Sequence, residues 1–216
     1  MNLPLLDHVT LGAASLDAGA AWLQRELGVD MPPGGKHPDM STHNRVLNVG
    51  GEHFLELIAI DPDAPALAHR RWFGLDDAGV AARLAERPRG LGWVVRTDDI
   101  AAVKAVSPVD LGRTADMSRG GRTWRLTVRE DGMMPFDGLV PGFIEWSPGP
   151  HPSQNMKFLG PELLAVELRH PDAEGLRRTL QALGVDRLAR VEQDERGPAM
   201  RLVFKLPDGS VRTVGD

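Results

Sequence analysis

Two short segments of the chain place a glutamate among apolar residues in nearly the same way. Residues 54–57 read Phe-Leu-Glu-Leu and residues 143–146 read Phe-Ile-Glu-Trp, compositions typical of β-strands. Side chains alternate across a strand, so Glu56 and Glu145 each share a face with the phenylalanine two residues before them. A carboxylate on an apolar face needs a proton, a cationic partner or a metal ion, because burying it alone costs too much free energy. We therefore predict that Glu56 and Glu145 are catalytic carboxylates of one shared site.

The elements that must position these glutamates repeat along the chain. Each of three units begins with a strand-like run, followed by a helix whose capping residue is Ser15, Asp99 or Asp172. The strands expected after these helices lie at 43–49 and 53–60, at 123–129 and 142–146, and at 199–206 and 210–214. The predicted boundaries are 1–65 for the first unit, 66–150 for a linker with the second unit, and 151–216 for the third. The sequence thus predicts an α+β protein built from repeated units.

Composition and charge indicate a protein that handles small molecules. The 216 residues contain 25 basic and 30 acidic side chains, for a net charge of −5, which gives no reason to expect nucleic acid or an anionic membrane as partner. The absence of cysteine excludes disulfides, thiolate metal sites and cysteine nucleophiles. No run approaches the roughly 20 apolar residues of a membrane span, and no signal peptide is evident at the start. We expect a cytoplasmic location.

Several common catalytic motifs are missing from the sequence. There is no Gly-x-Gly-x-x-Gly opening a helix, no phosphate-binding loop, no Gly-x-Ser-x-Gly and no His-Glu-x-x-His. Dinucleotide enzymes, serine hydrolases and metalloproteases of those types are therefore disfavoured.

Four segments carry a resemblance to a known family. The chain resembles the vicinal oxygen chelate superfamily, and its glyoxalase-like branch in particular. The segments that carry the resemblance are Leu6-Asp7-His8-Val9, the loop 34–38, the run 42–45 and Leu55-Glu56-Leu57. The resemblance covers most of residues 5–150. It implies paired βαβββ modules that form a cupped mixed sheet, here with a partial third βαββ unit appended. Homodimers are common in that superfamily, so a homodimer is a further expectation.

The resemblance also implies a metal site, with ligands from the first and last strand of each module. Carried over to this chain, the metal ligands are His8, Glu56 and Glu145. Aligning the helices of the two modules places Gly92 opposite His8, so one ligand position is vacant. A histidine and two carboxylates would suit a divalent ion such as Mg, Mn, Zn, Ni or Fe(II), with open positions for substrate.

Two functions follow from these alternatives. The first is a metal-dependent lyase or isomerase of the glyoxalase type, which polarises a carbonyl and stabilises an enediolate of a small oxygenated substrate. The second is a metal-free protein that sequesters a small molecule, as drug-resistance members of the superfamily do. The second applies if arginines neutralise the glutamates, with Arg45, Arg125 and Arg129 as the candidate cations.

The substrate-binding residues are predicted mainly in the segment 34–45. His37, Asn44 and Arg45 bring hydrogen-bonding groups and a fixed cation together there, and Arg45 is suited to a carboxylate or phosphate. Trp93 is added as a pocket-lining side chain, together with the expectation that Trp72, Trp124 and Trp146 line the core or the pocket.

Overall fold

Two β-sheets and four α-helices make up the computed structural model, which describes residues 3–215. The strands of the large sheet are β1 (Leu5–Gly12), β2 (Pro33–His37), β3 (Thr42–Asn48), β4 (Phe54–Ile60), β5 (Arg89–Arg96), β6 (Arg113–Arg119), β7 (Arg122–Val128) and β8 (Gly142–Trp146). The small sheet contains β9 (Glu162–His170), β10 (Arg190–Gln193), β11 (Ala199–Lys205) and β12 (Val211–Val214). The helices are α1 (Leu16–Leu27), α2 (Ala78–Glu86), α3 (Ile100–Val106) and α4 (Ala173–Ala182).

The large sheet is built from two modules related by a local two-fold axis. Its order is β2-β3-β4-β1-β5-β8-β7-β6, so each module contributes four neighbouring strands. The first and last strands of each module pair in parallel, and the modules meet where β1 pairs with β5 in the antiparallel sense. Val9 faces Trp93 at the centre of this junction, and Thr10 faces Gly92 beside it. The predicted α+β fold of paired βαβββ modules in a curled mixed sheet is confirmed.

Three predicted helix starts are confirmed by their caps. The Ser15 hydroxyl accepts a hydrogen bond from the Ala18 N–H at 3.2 Å, and α1 ends at Gly28 in the left-handed conformation, with φ of 70°. The carboxylates of Asp99 and Asp172 cap α3 and α4 in the same way. Local sequence chemistry therefore fixes where these helices begin.

Some elements were not predicted from the sequence. The segment at 33–37, predicted as a loop, forms the edge strand β2, and the linker 64–88 contains α2. β6 was also missed. The third unit has three strands after its helix, because the short β10 pairs in parallel with β9. Its order, β10-β9-β11-β12, differs from that of the two modules.

Strand alternation gives the large sheet two different faces. One face packs against α1, α3 and the third unit, and its buried side chains include Val9, Leu57, Trp93 and Phe143. The same core continues into the third unit through residues such as Phe204. The other, concave face carries a second apolar cluster and the polar residues described next. None of the helices within residues 3–215 is long and apolar enough to cross a membrane.

Candidate functional site

A cavity of about 290 Å³ opens on the concave face of the large sheet. We call it the cup cavity. Polar side chains line one part of it, and aromatic and aliphatic side chains line the rest. Its lining consists of His8, His37, Asn44, Val46, Phe54, Glu56, Trp72, Phe73, Arg119, Arg122, Trp124, Leu126, Ile144, Trp146, Pro152, Asn155 and Met156.

Glu56 lies at the polar end of the cup cavity, only 6% exposed. One carboxylate oxygen accepts a hydrogen bond from the Asn44 side-chain amide at 2.7 Å, and the other accepts one from the Thr10 hydroxyl at 3.3 Å. His8 Nε2 is 3.7 Å from the second oxygen. Hydrogen-bond donors and an imidazole therefore compensate the burial of this carboxylate.

The Asp7 carboxylate orients the His8 imidazole through a hydrogen bond. A bulge in β1 leaves Asp7 as an extra residue between Leu6 and His8, which lets two consecutive side chains serve the same site. His8 Nδ1 donates to Asp7 Oδ1 at 2.6 Å, while Asp7 Oδ2 accepts from His151 Nε2 at 2.9 Å and from the Trp146 indole at 2.7 Å. Asp7 has no solvent exposure.

These contacts set the ionisation of Asp7 and His8. Burial alone would raise the pKa of Asp7, but hydrogen bonds from His151 and His8 hold it well below its usual range. Burial alone would lower the pKa of His8, but the hydrogen bond to Asp7 and the nearby charges of Asp7 and Glu56 raise it above its ordinary value. The pair thus favours a protonated imidazole beside Glu56.

His37 has the opposite character. Its burial lowers the pKa to about 4; Glu56 opposes the shift and Arg119 adds to it. Arg119 can only donate hydrogen bonds, so its contact of 3.0 Å identifies His37 Nε2 as an acceptor. The other nitrogen, Nδ1, then donates to the Thr42 hydroxyl at 3.1 Å. His37 is therefore a neutral imidazole at pH 7.

Aromatic rings form the wall of the cup cavity. Phe54 stacks on His8 with ring centroids 4.7 Å apart, and Trp72 meets His37 edge-on at 5.0 Å. On the other module, Trp124 lies 5.2 Å from Trp146. Flat apolar surfaces of this kind bind planar groups.

Glu145 does not lie in the cup cavity. It points to the opposite face of the sheet, where it forms an ion pair with Arg125 and accepts a hydrogen bond at 3.3 Å from the backbone N–H of Ile100, at the start of α3. The structure thus does not bring Glu56 and Glu145 together. Arg125 is one of the neutralising cations considered from the sequence.

The sheet register explains why the two similar segments are not equivalent. Glu56 lies opposite Thr10 on β1, and the two-fold axis relates Thr10 to Val94. The residue opposite Val94 on β8 is Gly142. Gly142 is therefore the counterpart of Glu56, and an odd offset between the matching segments places Glu145 on the other face.

Two predicted substrate-binding residues also lie outside the cup cavity. Arg45 follows Asn44 on β3 and points to the opposite face, where it contacts Asp17 at 3.0 Å and the Met31 carbonyl at 3.2 Å. Trp93 is 1% exposed in the main core, with its indole N–H bonded to the Leu139 carbonyl at 2.9 Å. Of the predicted set, His8, His37, Asn44 and Glu56 line the cup cavity.

The residues present do not fit a divalent metal ion. The two positions that could complete a set with His8 and Glu56 are Gly92 and Gly142, neither of which has a side chain to donate. Within residues 3–215 there is no group of three or more His, Asp or Glu placed to hold a metal. The Arg119 guanidinium, in contact with His37, would further repel a cation.

Sequence reasoning missed several residues of the site, among them Asp7, Arg119, Arg122 and His151. Asp7 had a detectable signal, because two consecutive polar residues in an otherwise apolar strand suggest a bulge. The others depend on long-range contacts, such as the 144-residue separation between Asp7 and His151. No local pattern reports such a contact.

The chain is similar to known proteins in sequence and in fold. The family model described as a glyoxalase-like domain matches residues 6–203. No curated protein matches the chain. A hypothetical protein from Staphylococcus aureus has a similar structure, with a TM-score of 0.57, 15% identity and coverage of 100% of this chain and 86% of that one. Such low identity shows a shared fold only.

Two methylmalonyl-CoA epimerases are more distant structural matches. The Streptomyces coelicolor enzyme, as a variant in complex with 2-nitronate-propionyl-CoA, gives a TM-score of 0.43 at 18% identity, covering 68% of this chain and 100% of that one. The Mycobacterium tuberculosis enzyme gives 0.39 at 19% identity, covering 67% and 88%.

Proposed function

This chain belongs to the glyoxalase-like domain family of the vicinal oxygen chelate superfamily, and we propose that it binds a small organic molecule in the cup cavity without a metal ion. The observation that carries the proposal is a polar cluster that includes His8 and Glu56 in a cavity whose other lining residues are largely aromatic and aliphatic. A few oriented polar groups in an apolar cavity are typical of small-molecule sites. The polar cluster would orient the ligand, and the aromatic wall would supply most of the affinity.

The coordination chemistry supports the metal-free form of this proposal. The carboxylate of Glu56 already accepts hydrogen bonds from Asn44 and Thr10, so it does not need a metal ion to compensate its burial. The metal-dependent lyase or isomerase expected from the sequence needed Glu145 as its third ligand. Glu145 lies on the other face of the sheet.

The first experiment is calorimetric titration with 2-naphthamide, a neutral planar probe, in the presence of chelator. We expect measurable binding that chelator does not weaken, and about tenfold weaker binding by Trp124→Ala, because one aromatic contact is removed. Trp22→Ala is the control, since Trp22 lies on α1 and packs against the main core. No binding, or binding only after a divalent metal is added, would overturn the proposal.

A second candidate function is proton transfer. It is favoured by the distance of 3.7 Å between His8 Nε2 and Glu56 Oε2, and by the hydrogen bond from His8 Nδ1 to Asp7. Perturbed titratable groups in a cavity are typical of catalytic sites. Glu56 would accept a proton from the carbon next to a carbonyl, while the electron pair moves to the carbonyl oxygen. In an α-hydroxy ketone, return of that proton to the former carbonyl carbon, with transfer of the hydroxyl proton to the former carbonyl oxygen, would complete an isomerisation.

Deuterium exchange tests this candidate without requiring the natural substrate. A panel of small α-hydroxy ketones would be incubated with the protein in D₂O, and exchange at the α-carbon followed by proton NMR. We expect Glu56→Gln to abolish enzyme-dependent exchange and Glu145→Gln to leave it unchanged, because only Glu56 lies in the cup cavity. Equal loss in both variants, or no exchange with the parent protein, would reject proton transfer on these compounds.

A further inference from the structure

Two arginines face each other at the tip of the hairpin formed by β6 and β7. Arg119 and Arg122 are directly opposite in the register, and Gly120 and Gly121 connect them with φ values of 59° and 78°. Residues opposite each other on a hairpin have side chains on the same face, and both arginines line the cup cavity. Like charges placed in this way are destabilising unless something of opposite charge lies between or beside them.

Neither arginine has an acidic partner among the ion pairs of residues 3–215. Arg119 contacts His37 Nε2 at 3.0 Å and Asn44 Oδ1 at 3.4 Å. Arg122 donates to the Pro150 carbonyl at 2.9 Å. Their neighbour Arg125, on the other face of β7, is by contrast paired with Glu145. The two cavity-facing guanidinium groups are therefore held by neutral acceptors and keep their full positive charge.

The charge balance of the cup cavity leaves room for one anion. Among the side chains that line it, Arg119 and Arg122 carry two positive charges, and Glu56 is the one carboxylate. His37 adds no charge, because its pKa is lowered to about 4. One positive charge remains uncompensated, which favours a ligand with a single negative charge over a dianion.

We propose that the ligand of the cup cavity is a monocarboxylate with a planar apolar body. This inference rests on the proposed function, since it assigns the class of molecule bound at the same site. The carboxylate would be held by Arg119 and Arg122, whose planar guanidinium groups match its two oxygens. The planar body would lie against Trp124 and Trp146.

Gly35 helps to position Arg119 for this role. A Cβ atom on Gly35 would lie 3.1 Å from Arg119 Nη1 and 3.2 Å from its Cδ, closer than side chains normally approach. The same arginine joins β6 to β2, the two outer strands of the large sheet, through its contact with His37. The absence of a side chain at Gly35 therefore allows the guanidinium to cross from one end of the sheet to the other.

The test compares 2-naphthoate with its neutral isostere 2-naphthamide by calorimetric titration at neutral pH. We expect the carboxylate to bind at least tenfold more tightly. Arg119→Gln and Arg122→Gln should each reduce that preference about tenfold, measured as the ratio of the affinities for the two probes within each variant. Arg113→Gln is the matched control, because it removes the same charge from β6 outside the cup cavity.

The outcomes separate this inference from the proposed function. Equal binding of the two probes would overturn the monocarboxylate while the cup cavity remains a binding site. Loss of preference in Arg113→Gln to the same extent would also overturn it, because the effect would then be a general one of net charge. Tighter binding of 2-naphthyl phosphate than of 2-naphthoate would also overturn the monocarboxylate, because the cup cavity would then prefer a dianion. Failure of every probe would overturn the proposed function as well.

Discussion

At the scale of single residues, Asp7 is the centre of the site although it does not line the cup cavity. Its two oxygens accept hydrogen bonds from His8, His151 and Trp146, and it is fully buried. His151 Nδ1 accepts from the Ser153 N–H, which leaves Nε2 as the donor to Asp7. Asp7 thereby fixes the orientation of His8 and of one aromatic wall residue at once.

Asp7→Asn should lower the pKa of His8, because it removes the negative charge and the acceptor that raise this pKa. Since the raised pKa stabilises the fold below about pH 6.5 and its effect is lost as pH rises through the folded value, the cost should be larger at pH 6 than at pH 9. We expect a loss of about 1–3 kcal/mol at pH 6. Histidine NMR titration and urea unfolding at the two pH values would measure both effects.

Asp61→Asn is the control for that variant. Asp61 is also buried, at 4% exposure, but its partner is Lys36 at 2.7 Å, at the end of β4. It should leave the pKa of His8 unchanged. An unchanged pKa in Asp7→Asn itself would contradict the assigned role of Asp7.

At the scale of elements, the register of β8 decides which chemistry the cup cavity contains. The two-fold axis makes Gly92 the counterpart of His8 and Gly142 the counterpart of Glu56. The second module therefore contributes no carboxylate to the cavity, and its lining side chains are Arg119 and Arg122 together with aromatic and aliphatic residues such as Trp124 and Trp146. The one cavity carboxylate, Glu56, comes from the first module, although the two backbones follow the same order.

Gly142→Glu should restore a third metal-binding donor on the concave face. A Cβ at this position would meet its nearest atom, Val94 Cγ2, at an ordinary 3.7 Å, so the backbone accommodates a side chain. We expect this variant to bind Zn²⁺ at least tenfold more tightly than the parent protein, and adding His8→Ala to remove the gain. Calorimetric titration with zinc would measure it.

The isosteric variant Gly142→Gln is the control, because it fills the same volume with a much poorer zinc ligand. Equal zinc affinity in the parent protein, Gly142→Glu and Gly142→Gln would contradict the register argument. It would show that the concave face is not where a second-module carboxylate comes close to His8.

At the scale of the whole molecule, the third unit is part of the main core. Phe204 and Val166 pack in the same apolar cluster as Val9 and Trp93. Backbone hydrogen bonds also cross the boundary, from Gly90 N to Gly215 O at 2.7 Å and from Leu163 N to Val49 O at 2.8 Å. We therefore expect the three units to unfold together.

Phe204→Ala tests this cooperativity, because all five tryptophans precede residue 150 and report only on the first two units. We expect a loss of about 3–5 kcal/mol, measured by urea unfolding with tryptophan fluorescence, since a fully buried phenylalanine is removed. Phe158→Ala, at a side chain 50% exposed in the same unit, should change stability little. A tryptophan transition that stays at the parent midpoint in Phe204→Ala would show that the third unit unfolds independently.

The repeat, the helix starts and four of the residues that line the cup cavity could be predicted from the amino-acid sequence alone. Hydrophobic periodicity and the caps at Ser15, Asp99 and Asp172 are local signals, so they predicted the paired modules. His8, Glu56, His37 and Asn44 were predicted as site residues on short segments of the chain, and all four line the cup cavity. These features depend on neighbours in the chain, which a sequence displays directly.

The face of the sheet on which each remaining residue lies, and the groups it contacts there, follow from the tertiary structure. Glu145, Arg45 and Trp93 were assigned to the site from their residue types, but a one-residue change of register moves a side chain across the sheet. Asp7 meets His151, and Arg119 meets His37, only because distant strands come together. Whether the cup cavity is suited to a metal ion or to an anion depends on those long-range contacts. Strand pairing sets both the distance between charged groups and the face of the sheet on which they lie.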